Sequence, residues 1–113
     1  MSQNVEYVMI VTGCNDADKS KTVGYIIDAI NKLPINIKPI IHTIIPRSTG
    51  FNSEWRDINN WIRNSGWLYV DAEQAFLDCP YSTATNSNIR QDLYMGDHIH
   101  PTIQGHLEIF RRI

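Results

Sequence analysis

Cysteine is too scarce in this chain to hold it together. Cys14 and Cys79 are the only two among 113 residues; they form no CxxC pair and no disulfide framework of the kind that staples small secreted domains. Long apolar runs are also missing, since nothing approaches the about 18 consecutive apolar residues of a membrane span. Neither sign of charge dominates: ten Lys and Arg against twelve Asp and Glu leave a net charge of −2. The basic residues are scattered, which argues against a nucleic-acid partner. Residues 1–4 carry no basic stretch leading into an apolar one, so no secretory signal is read and the default compartment is cytoplasmic. What is present is a hydrophobic content of 42% with 19% charged residues, ordinary for a globular domain. The length suits one domain with one modest core.

The apolar pattern alternates between two periods. Residues 5–13 form a β-branched, nearly continuous apolar run ending at Gly13, the signature of a strand buried on both faces. Val23, Ile26, Ile27, Ile30 and Leu33 then fall at helical spacing, with Ser20 or Thr22 as cap and Pro34 as stop. The strand signature returns at residues 38–46. A second helix follows, capped by Ser53, with Trp55, Ile58, Trp61 and Ile62 on one stripe and Gly66 at the left-handed position beyond its end. Residues 67–71 make a third, shorter strand, and 72–76 a helical turn. The stretch 77–96 is rich in Ser, Thr and Asn and reads as a long loop, solvated from Tyr81 to Gln91. A last helix opens at Pro101, with Ile103, Leu107 and Phe110 on one face. The order β-α-β-α-β-α predicts an α/β domain with a parallel sheet covered by helices, whose ligand crevice lies at the carboxyl ends of the strands.

Chemistry concentrates where the chain reaches that end. Asp97 and His100 are three residues apart in the turn before the last helix. A carboxylate so placed can accept from the imidazole ring and hold it in one tautomer, as a general base requires. After the first strand comes Gly13-Cys14-Asn15-Asp16, where a sharp turn at Gly13 puts the Asn15 amide in the crevice as a donor to developing negative charge. His98, His100 and His106 with Asp97 make a ligand-like grouping, but His106 falls on a different heading of the final helix, so neither a metal nor another cofactor is expected. His42 reads as a core histidine, and the three tryptophans as core.

The blocks Gly-x-Asn-Asp after a strand and Asp-x-x-His-Pro opening the final helix resemble the third and fifth sequence blocks of the SGNH (GDSL-type) hydrolases. The resemblance extends from Val5 to the end of the chain. It implies a three-layer, flavodoxin-like α/β/α fold and ester cleavage through a serine acyl-enzyme, with His100 as general base, Asp97 as its orienting carboxylate, Asn15 as oxyanion-hole donor, and Gly13 and Asp16 in support. The implied substrate is an ester-bearing small molecule or an acetylated carbohydrate.

That family's Gly-Asp-Ser nucleophile block has no counterpart here. Ser2, Ser20, Ser48, Ser53, Ser65, Ser82 and Ser87 all lack its context, and Cys14 sits at the family's variable position. Residues 1–113 therefore read as one partial domain, truncated at the N-terminus, with the serine supplied from elsewhere. The competing reading is a non-catalytic fragment or pseudoenzyme of the same fold. A further expectation follows from the truncation: the strand at residues 5–12 lacks a neighbour on one side, an edge open to self-association or to complementation by another segment.

Overall fold

A computed structural model describes residues 6–11 and 18–113. Three parallel strands form its sheet in the order β1-β2-β3: β1 is Glu6–Ile10, β2 Ile37–His42 and β3 Leu68–Val70. Val8 lies opposite Pro39, Ile10 opposite Ile41 and Ile41 opposite Tyr69. Helices α1 (Lys19–Asn31) and α2 (Ser53–Asn64) link the strands. The single turn α3 (Ala72–Ala75) follows β3, and α4 (Ile103–Phe110) ends the chain. The α/β class and the alternation expected from the sequence are both present. Among the described residues no helix is long and apolar enough to cross a membrane.

The helices start earlier than expected, by two or four residues at α1 and by one at α2. Asp18 caps α1, its carboxylate accepting from Lys21 N at 3.1 Å, and Thr22 is buried inside the first turn rather than capping it. Asn52, not Ser53, caps α2 through a bond from Trp55 N. Both side chains satisfy an amide that the helix leaves without an internal partner. Gly66 takes φ 88 just beyond α2, the left-handed conformation that terminates helices cheaply only in glycine.

Among the described residues the interior consists of two clusters. One joins Ile26 of α1, Ile41 of β2, Ile44, and Trp55, Ile58 and Ile62 of α2, with Trp61 and Trp67 meeting edge to face at 5.9 Å beside it. The other gathers Phe76, Leu77, Ala84, Ile89, Leu93 and Tyr94. All but Ala75 and Phe76 of this cluster lie in the long loop, and Ala84 and Ile89 fall in the part of it expected to be solvated, which is instead folded inward. Polar residues there face outward around turns at Asn86–Asn88 and Gln91–Leu93, while widely spaced apolar ones point inward. Tyr94 closes the arrangement by donating its hydroxyl to Pro46 O.

Two apolar surfaces are open. In β1, Tyr7, Val8 and Met9 are exposed and only Ile10 reaches the core, so among the described residues the strand expected to be buried on both faces is largely open. Helix α4 docks through Gly105 and Ile109. Ile103, 83% exposed, and Phe110, 70% exposed, project with Leu107 from the other side, an arc of about 60° at 100° per residue. The apolar stripe is real, but it is not the face that packs.

Candidate functional site

The loop from Met95 to His100 is closed at its base. Tyr94 and Pro101 bridge as an antiparallel pair, and Met95 N donates to His100 O at 2.8 Å. Within it Asp97 makes an Asx-type turn: Oδ1 accepts from Ile99 N and from His100 N, both at 3.0 Å, the local geometry for which Asp is suited. The other carboxylate oxygen accepts from His100 Nδ1 in a short hydrogen bond. Because a carboxylate accepts, Nδ1 carries the proton and Nε2 is left as the basic nitrogen.

The electrostatics follow from that contact. The ring N–H of His100, with the backbone N–H groups of His100 and Ile99, holds the Asp97 carboxyl well below the usual carboxylate range. Each bond stabilises the charged form. Both side chains remain well exposed to solvent, so a reacting group can approach Nε2. Thr102 then caps α4 by accepting from Gly105 N at 3.1 Å, and the helix starts one turn from the ring.

No hydroxyl or thiol among the described residues hydrogen-bonds His100. Gly13, Cys14, Asn15 and Asp16 lie outside the described residues, so the oxyanion-hole assignment concerns positions on which the structure is silent. Among the described residues no three His, Cys, Asp or Glu side chains converge to hold a metal ion.

One Ser–His contact exists that sequence reasoning passed over. Ser48, in the loop between β2 and α2, hydrogen-bonds His98 Nδ1 through Oγ at 2.8 Å, and its N–H donates to His98 O at 3.0 Å. Its own carbonyl accepts from Gln91 Nε2 at 2.7 Å. Ser48 is 5% exposed and is bonded to a different histidine from the one that Asp97 orients. The available signal was its position after the second strand, at the sheet end where crevices form.

A second constellation lies at the end of β3. Arg63 grips Asp71 with two bonds, Nε at 2.9 Å and a terminal nitrogen at 2.8 Å, and reaches Glu73 at 2.7 Å. Its guanidinium stacks 3.5 Å from the Tyr81 ring centre. Thr43 donates to Asp71 and accepts from Glu73 N at 2.9 Å. These carboxylates already have donors, and the cluster serves to fasten α3 to α2 and β2. His42 is likewise occupied, Nδ1 donating to Thr43 O at 2.7 Å. Burial pushes its pKa down, partly offset by that bond. Comparison with known protein families and with curated proteins gives no match to this chain.

Proposed function

We propose that this chain is the C-terminal part of an SGNH (GDSL-type) hydrolase, a serine esterase or deacetylase acting on an ester-bearing small molecule or an acetylated carbohydrate. The observation that carries the reading is the Asp97–His100 ring contact, in a loop that follows a parallel sheet and opens the final helix. In the proposed reaction a serine hydroxyl from outside this chain attacks the ester carbonyl carbon. Its proton passes to His100 Nε2, and the imidazolium is stabilised by Asp97. That proton then goes to the departing alkoxide, leaving an acyl-enzyme, which water hydrolyses with the same base. Asn15 donates to the oxyanion. The fold behind this reading is the three-layer, flavodoxin-like α/β/α domain, incomplete at its N-terminal side.

The unpaired outer edge of β1 supports incompleteness. Among the described residues only β2 pairs with it, and neither Lys nor Pro nor a bulge protects it, as free edges ordinarily require. Self-association or complementation through residues 5–12 covers that edge. A monodisperse monomer at high concentration, with fast-exchanging amides along this strand, would count against it.

A second reading, a non-catalytic fragment or pseudoenzyme of the same fold, is favoured by the lack of any described hydroxyl at His100. Hydrolysis of p-nitrophenyl acetate separates the two. The chain alone should turn over no faster than its His100→Ala variant; turnover abolished by that change would reveal a nucleophile inside the chain. Co-expression with a segment carrying a Gly-Asp-Ser block should restore His100-dependent hydrolysis, and continued inactivity would favour the pseudoenzyme.

A further inference from the structure

We infer that Ser48 and His98 are positioning residues that hold the Asp97–His100 pair in place, through a two-point clamp between the loop after β2 and the loop before α4. The inference rests on reading that pair as base and orienter. All three polar groups of Ser48 are committed to residues 91–98: N–H to His98 O, Oγ to His98 Nδ1, and the carbonyl to Gln91. Within the loop, every other hydrogen bond made by Asp97, His98, Ile99 and His100 among the described residues stays inside residues 95–100. The pair is therefore internally tied, but its polar connection to the rest of the fold runs through Ser48.

His98 provides the second observation. It takes φ 63, the one positive φ at a non-glycine among the described residues. That conformation is unfavourable in an L-residue and persists where surrounding contacts over-determine it. Here the contacts are the two from Ser48, one on the backbone and one on the ring. Because His98 lies between Asp97 and Ile99, whose N–H bonds the carboxylate, releasing His98 loosens the turn that aims His100.

The carboxylate carbon of Asp97, followed by 13C NMR through an acid titration of the intact chain, reports the tightness of the His100 contact without requiring activity. Ser48→Ala removes only the hydroxyl and should raise the Asp97 midpoint by about 1 pH unit. His98→Gly suits the left-handed backbone but removes the ring, and should raise it similarly; it decides the matter should Ser48→Ala fail to fold. His98→Asn, which tolerates the same φ and keeps an acceptor near the Nδ1 position, should hold the wild-type midpoint. An unmoved midpoint in folded Ser48→Ala or His98→Gly protein overturns the clamp, and so does His98→Asn behaving like His98→Gly. Because the readout is ionisation, an inactive complemented enzyme would sink the hydrolase reading while leaving this result standing.

Discussion

Asn59 matches both backbone polar groups of Ile44: Oδ1 accepts from Ile44 N at 2.7 Å and Nδ2 donates to Ile44 O at 2.8 Å. Both residues are buried. The side chain substitutes for the strand neighbour that the chain lacks once it has left β2, so the backbone continues inward without an orphaned group. Asn59→Ala strands an N–H and a C=O in the interior and should cost about 3 kcal/mol of stability. Urea unfolding measures this; a loss below about 1 kcal/mol would show that water replaces the amide.

Gly105 is the contact point of α4. A Cβ there would stand 2.6 Å from Leu93 O and 2.9 Å from Pro101 Cβ. Leu93 O is backbone and already accepts from Thr102 N at 2.8 Å, so it cannot yield cheaply. Gly105→Ala should destabilise the protein although alanine favours helices, by an overpacking cost of about 1–3 kcal/mol. A thermal midpoint unchanged or raised would contradict the close approach.

His42 sets an acid dependence. Burial lowers its pKa in the folded state, so the unfolded chain binds the proton more readily. Its effect on stability is absent above the unfolded value of about 6.5 and grows as pH falls below it. Denaturant midpoints should therefore drop between pH 7.5 and pH 5.5, and His42→Gln should remove most of that drop. An equal drop in the variant would assign it elsewhere.

Asp97 works in the opposite sense. Its folded pKa is depressed, so its contribution is present above the ordinary carboxylate value and fades as pH falls through the folded one. The 13C midpoint of Asp97 should lie below the ordinary carboxylate value, and His100→Ala should move it up toward, but not to, about 3.9, because two backbone donors remain. A midpoint insensitive to His100→Ala would contradict the ring contact.

Local rules made much of this legible before any coordinates. The strands fall within the apolar runs, although β2 stops at His42, short of Ile45; Gly66 takes its left-handed turn, and the Asp97–His100 contact follows from spacing alone, because an Asx turn and an i, i+3 side-chain pair need no partner distant in sequence. What stayed hidden depends on long-range placement. Ser48 and His98 are fifty positions apart, and neither neighbourhood signals the other. Leu77, Ala84, Ile89 and Leu93 are too irregularly spaced to match a helical or strand period, so a folded-in segment resembled a solvated one. The α4 stripe was legible as a period, but periodicity identifies an apolar face without saying what covers it.

The second apolar cluster gives the aperiodic stretch a mechanical role. Phe76, Leu93 and Tyr94 lie under the base of the Asp97–His100 loop and the start of α4, whereas the sheet packs on the other cluster. The interior beneath the dyad is thus distinct from the one beneath the strands. A cavity cut at Leu93 or Phe76 would reach the dyad while the strands stay paired, making the aim of His100 more fragile than the fold that carries it.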